Sequence, residues 1–325
     1  MSIGRVVGIA GATNSGKTTL VRKLLDEFAV DKKVKVSIVL QDEYFKQKEE
    51  VDQVQSRHDV DLKFWNYDAP QSLNETDLYN EVKRQMEIFD LVVVEGNMIT
   101  ELPSLCSIFN RIIFVTIDYE TCKKRRELRE DYDPPDLPGY FDEIVWPAYE
   151  EHLKSAQSLK DPRISFVNGN DSTIYETVVK MAHFTLDEHL KIQQEAIDVN
   201  QLTDFVTSPK CGAISIFIGT TRDNFEGQTV KNLWYEHYDE MAYCELKKLC
   251  LRVRREFQSI GKIAIVHRVG NVPITEKSVA IATSAPHRMD AIRATEFLID
   301  ELKSTVPIWK KEIYDNNEGK WKANT

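Results

Sequence analysis

Gly11, Ala12, Thr13, Asn14, Ser15, Gly16, Lys17 and Thr18 have the GxxxxGK[ST] spacing of a loop that cradles phosphate. Its glycines let backbone N–H groups converge on an anion. Lys17 neutralises the β and γ charges, Thr18 offers an oxygen to Mg²⁺, and Thr19 at the helix start is expected to join them in binding ATP. Such a loop has to follow a strand and open a helix, and the apolar run Val6–Ala10 and a helical pattern from about Lys17 supply both. The chemistry this spacing serves is ATP binding and phosphoryl transfer, with ATP and Mg²⁺ as the expected cofactors.

Further groups belong at the same edge. Asp42 follows the run Val34–Leu40, so its carboxylate is expected at the carboxyl edge of a sheet, where it can take a substrate hydroxyl's proton or touch Mg²⁺; an acidic helix cap is the plainer alternative. Glu95 ends Leu91–Val94 in the analogous place. Lys123, Lys124, Arg125, Arg126 and Arg129 precede Pro134 and Pro135, and read either as a solvated basic helix or as a lid whose arginines close over phosphates.

Strands and helices alternate through Arg111–Ile117, Ile164–Val167 and a helix ending near His183, the pattern of a parallel sheet covered on both faces. The polar stretch Asp187–Asn200 reads as the approach to a second domain, giving domains 1–184 and 186–325. The second is expected to be α+β: a strand Ala213–Gly219, a helix Met241–Phe257, two strands and a helix Arg288–Ser304. A chain of 325 residues has room for two cores. Its net charge of −10 argues against broad nucleic-acid or membrane binding, and the absence of a signal-like start or a long apolar run suggests a cytoplasmic protein. Five cysteines without CxxC spacing suggest reduced thiols and no zinc site.

The phosphate loop, QDEYFK at 41–46, FWNYD at 64–68, VVEG at 93–96 and PPDLPGYFDEIVWPAY at 134–149 resemble nicotinamide riboside kinase. The resemblance implies ATP-dependent phosphorylation of a riboside 5′-hydroxyl, with Asp42 as the catalytic and Mg²⁺-associated aspartate beside Glu43, Tyr44 and Phe45. It makes Tyr67 and Tyr132 the residues stacking on nicotinamide, Asp68 and Arg126 the ribose contacts, and Arg125 and Arg129 lid arginines. A cationic pyridinium would favour these aromatic faces with the carboxylates of Asp68 and Asp136 close by. Glu43 stands where that family often has an aspartate, and one extra residue falls near Glu130 and Asp131.

In the second domain, Arg222, His267, Arg268, His287, Arg288, Lys303, Lys310 and Lys311 fall at the ends of expected elements. Should those ends meet, the residues form a pocket for a phosphate-bearing substrate; His267 taken singly reads as a satisfied core histidine. GAISIFIGTTRDNFEG at 212–227, YEHY at 235–238, VHRVG at 266–270 and VPIWKKEIY at 306–314 resemble the large subunit of molybdopterin synthase. That family places two sulfurs on cyclic pyranopterin monophosphate, taking them from the thiocarboxylate tail of a small ubiquitin-like subunit. The resemblance makes Lys303 and Lys310 its essential lysines and Arg222, His287 and Arg288 its anion-binding residues. It also implies pairing through large subunits, hence a homodimer and, with the small subunit, a heterotetramer. Pro286 is an insertion into its Ser-Ala-His-Arg motif. A lysine can position the thiocarboxylate, protonate a leaving group or bond the tail's carbonyl, and these roles stay open. Two other readings keep the same residues: a catalytically silent kinase domain acting as nucleotide sensor or scaffold, and a second domain serving only as an interaction surface.

Overall fold

In the computed structural model, described for residues 5–30, 34–129, 136–225, 227–314 and 319–322, the chain divides between Thr185 and Leu186 into two units.

The first unit runs β1 (Arg5–Gly11), α1 (Lys17–Val30), β2 (Val36–Leu40), the hairpin β3 (Gln53–Gln55) and β4 (Lys63–Trp65), α2 (Glu75–Ile88), β5 (Leu91–Glu95), α3 (Pro103–Ile108), β6 (Arg111–Thr116), α4 (Tyr119–Glu127), α5 (Trp146–Ser158), β7 (Ile164–Asn168) and α6 (Ile174–Leu186). A π turn, Phe141–Val145, leads into α5. Five parallel strands are ordered β2-β5-β1-β6-β7. Val6, Val7, Val92–Val94 and Ile112–Val115 are buried because helices cover both faces, which explains their unbroken apolar runs. With β1 between β5 and β6, the carboxyl ends Gly11, Leu40 and Glu95 share one edge, where open α/β sheets bind ligands. This is the fold of a P-loop kinase.

The second unit runs β8 (Glu188–Gln193), α7 (Val199–Val206), β9 (Ala213–Thr220), β10 (Asn224–Phe225), β11 (Gln228–His237), α8 (Asp239–Glu256), β12 (Ile263–Arg268), β13 (Gly270–Pro273), β14 (Lys277–Ala285), α9 (Arg288–Thr305), β15 (Ile308–Tyr314) and β16 (Gly319–Lys322). One sheet is ordered β8-β12-β14-β9; a second is β10-β11-β15-β16, with β13 also on β11. Ile263, Ile265 and Ile281 face the cluster that holds α8 and α9, while the smaller Ala264, Ala280 and Ala282 face Leu202 and Val206 of the short α7. This is the expected α+β class. Two features depart from the sequence reading: the stretch 187–200 contains β8, and β11 and β15 build a second sheet.

Among the described residues no helix is long and apolar enough to cross a membrane. The cysteines are free, and burial pushes the thiols of Cys106 and Cys122 up to about 12 and about 11.

Candidate functional sites

The phosphate loop begins where β1 ends. Gly11 has φ +133°, and a Cβ there would run into the Val115 carbonyl of β6, so only glycine lets the strand turn at this point. Asn14 and Gly16 also have positive φ. The side-chain amide of Asn14 and the hydroxyl of Ser15 include buried atoms without a hydrogen-bond partner, and nothing lies within 4 Å of where a Gly16 Cβ would stand. Such a loop fits a polyphosphate. Lys17 is 7% exposed and donates to the Ala12 carbonyl at 2.7 Å. Burial lowers its pKa, opposed by the carboxylates of Glu95 and Asp42. Thr18 Oγ1 donates to Glu95 Oε1 at 3.0 Å, placing the hydroxyl and the β5 carboxylate together, and burial raises the Glu95 pKa. Asp42 is exposed in the turn after β2.

The basic segment is an exposed helix whose arginines reach the loop. Asp118 caps α4 by accepting from Thr121 N at 2.8 Å, and Lys124, Arg125 and Arg126 fill its last turn, where cations favour the helix dipole. Arg125 donates to the Asn14 carbonyl (3.3 Å) and to Asn170 Oδ1 (2.9 Å), Arg126 to Thr13 Oγ1 (3.0 Å), and Arg129 to Asn14 Oδ1 (3.3 Å). Three guanidinium groups thus converge where phosphates would sit. Tyr132, with Glu130 and Asp131, lies outside the described residues.

Beside the loop, Asp68 gathers a network that motif reading missed. Tyr140 OH lies 3.2 Å from Asp68 Oδ2, Asn97 Nδ2 donates to Oδ1 at 3.1 Å, and His152 Nε2 lies 3.0 Å from the Asp68 carbonyl. Gln41, fully buried, holds Asn97 in turn at 2.6 Å. Burial raises the Asp68 pKa, countered by Arg126 and Tyr140. Phe45 and Tyr67 meet edge to face at 5.4 Å. One expectation changes here. Asp136 is held by Arg126 at 2.5 and 2.9 Å, so its charge is already matched and not free for a cationic ring. Tyr44 lies beside α2 with the charges of Glu81, Glu43, Arg84 and Asp77 around it.

In the second unit the basic residues divide between two ends. The β9–β14 ladder is antiparallel, pairing Thr220 with Lys277 at one end and Ala213 with Ala285 at the other. Arg222 follows the first end; His287 and Arg288 follow the second. Seven residue steps make the ends about 23 Å apart. Helix α9 starts at Arg288 and packs back along both strands, with Thr283 Oγ1 donating to the Ala291 carbonyl at 2.9 Å near its start, so Lys303 in its last turn returns to the Arg222 end. One copy therefore does not bring all five residues expected at the pterin site together: Arg222 and Lys303 fall toward one end of the ladder, and His287 and Arg288 toward the other.

Lys310 is on β15 with its ammonium 5.6 Å from the Phe225 ring centre, three residues past Arg222; Lys322 covers the same ring at 4.3 Å. Both lysines face the buried carboxylate of Glu312, at 3.7 and 4.0 Å, and Tyr314 OH donates to it at 2.7 Å. Phe225, Glu312 and Lys322 were not singled out in sequence. His267 is a core residue: buried beside Tyr235 (5.1 Å), 2.8 Å from the Arg268 carbonyl, its pKa pushed down by burial to about 4. Arg268 is tied to Glu276 and to the Gln194 carbonyl. Pro286 sits one residue beyond the last pair of the ladder, so its missing N–H breaks none of those pairs.

Residues 192–305 match the MoaE protein family. A molybdopterin synthase catalytic subunit from Taeniopygia guttata is 50% identical over 137 residues, covering 42% of this chain and 88% of that one. The chain belongs to the MoaE family. A Drosophila mojavensis protein of the same description is 49% identical over 138 residues, 42% of this chain, but the chain spans only 38% of that relative's length. The MoaE match includes Arg222, His287, Arg288 and Lys303 and stops before Lys310. For the other unit, a solved structure described as a possible uridine kinase from Bacillus stearothermophilus is 16% identical, with a TM-score of 0.34, covering 51% of this chain and 91% of that one. The P-loop fold of this unit rests on the strand order and the loop geometry above.

Proposed function

We propose that the MoaE unit is the catalytic subunit of a molybdopterin synthase and that the P-loop unit is an ATP-dependent riboside kinase, nicotinamide riboside being the preferred substrate. What carries the first half is membership of the MoaE family, together with Lys310, whose ammonium stands over the Phe225 ring beside the buried carboxylate of Glu312. Sulfur would come from the thiocarboxylate tail of a small ubiquitin-like subunit, and the basic groups would bind cyclic pyranopterin monophosphate.

The two-ended arrangement supports a homodimer. Strand β9 is a sheet edge, and Ile214, Ile216 and Ile218 stay 39–40% exposed along one face of it. An edge with an apolar stripe is a template for pairing, and a two-fold axis pairs it with itself antiparallel. In that arrangement the Arg222 end of one copy meets the His287 end of the other, so each site draws Arg222, Lys303 and Lys310 from one chain and His287 and Arg288 from its partner. With two small subunits this gives a heterotetramer.

In the kinase unit, Asp42 would accept the proton of the riboside hydroxyl while Lys17, Arg125 and Arg129 balance charge on the transferring group. ATP supplies the phosphoryl group, and Thr18, Asp42 and Glu95 are the residues that would hold Mg²⁺. Three arginines already on the loop favour an active kinase over a silent scaffold. The test is a pair of substitutions: Asp42→Ala should abolish riboside phosphorylation and spare molybdopterin formation, and Lys303→Ala should do the reverse. Loss of both activities in a folded variant would refute independent sites.

A further inference from the structure

The hydrogen bonds around Asp68 have a fixed direction. Met98 N donates to Gln41 Oε1 at 2.9 Å, and a backbone N–H can only donate, so that atom of the Gln41 amide is its oxygen. Gln41 Nε2 is then the donor to Asn97 Oδ1 at 2.6 Å, which leaves Asn97 Nδ2 to donate to Asp68 Oδ1 at 3.1 Å. Gly96 is what admits this arrangement, because a Cβ there would overlap the Gln41 side chain. Tyr140 OH stands at the other carboxylate oxygen, 3.2 Å away and 3.1 Å from the Trp65 carbonyl. A chain of donors anchored on the backbone therefore ends on one oxygen of a carboxylate that is otherwise expensive to ionise, since burial opposes its charge.

We propose that Gln41 and Asn97 are positioning residues that orient the Asp68 carboxylate to accept hydrogen bonds from a vicinal sugar diol. This rests on the riboside-kinase reading. With Asn97 on Oδ1 and Tyr140 beside Oδ2, each oxygen keeps a lone pair, and two acceptors side by side match adjacent hydroxyls. A phosphorylated or carboxylated group in that position would be repelled.

The test compares Asn97→Asp with the wild-type full-length chain on nicotinamide riboside and its 2′,3′-dideoxy analogue. The substitution keeps the shape and the bond from Gln41 but turns the last donor into an acceptor facing Asp68. The expected result is a rise in riboside KM of about ten-fold or more with kcat and the ATP KM little changed, and a low-pH limb of kcat/KM moved to higher pH, as a like charge dictates. The penalty should shrink to less than about two-fold on the dideoxy analogue, because the interaction being oriented is gone. A structural role would lower activity on both substrates alike. Equal penalties on the two substrates with an unmoved pH limb, in an active enzyme, overturn the inference. A wild-type chain that binds ATP but phosphorylates no riboside overturns the kinase reading itself and this inference with it.

Discussion

Arg222 and His287 follow opposite ends of one antiparallel ladder, β9 with β14, whose terminal pairs stand about 23 Å apart. Residues proposed to serve one pterin site are thus separated within a chain, and the proposed dimer would reunite them through the exposed isoleucine edge of β9. Much of the behaviour expected of the MoaE unit follows from that relationship.

Ile216 lies mid-way along this edge and is 39% exposed. Ile216→Lys should disfavour edge pairing and give a monomer by sedimentation, with molybdopterin formation reduced at least about ten-fold and riboside phosphorylation unchanged. A stable dimer of the Lys variant would place the interface elsewhere.

Gly96→Ala adds a methyl group where Gln41 packs. Displacing a buried, hydrogen-bonded amide should cost about 1–3 kcal/mol of stability in the P-loop unit. Thermal unfolding should show an earlier transition for that unit alone, with the synthase reaction retained at moderate temperature.

His267 makes the MoaE unit acid-sensitive. Its folded pKa of about 4 lies below the ordinary 6.5, so the unfolded chain binds the extra proton between those values, and stability falls as pH drops through that window. The loss should be on the order of 3 kcal/mol by pH 4. Denaturant unfolding of His267→Gln against pH should show a flatter slope over this window, although the variant will be less stable near neutrality.

Sequence made the phosphate loop and the arginines that reach it legible because this chemistry needs particular residue types at short spacing after a strand. Gln41, Asn97 and Tyr140 were obscure for the opposite reason: they meet at Asp68 from separate elements. Strand β8 was hidden by its polarity. Its first residue, Glu188, is buried and paired with Arg254 of α8 at 3.1 Å, so a charge that suggests a linker is a core ion pair. The second sheet was disguised by the charged run Lys310, Lys311 and Glu312, which breaks the apolar pattern of a strand although Glu312 is buried beneath two lysines. Both ends of α9 carried recognisable basic motifs, but that they lie apart follows only from the strand register.

The most direct test of the account mixes two purified variants, Arg222→Ala and Arg288→Ala, with a thiocarboxylated small subunit and cyclic pyranopterin monophosphate, and measures molybdopterin. Each variant alone should be nearly inactive. After subunit exchange, half the dimers are mixed and each has one intact site, so about a quarter of wild-type activity should return. An active wild type with no recovery in an exchanged mixture would contradict the shared site, and an inactive wild type that still binds the small subunit would contradict the synthase assignment.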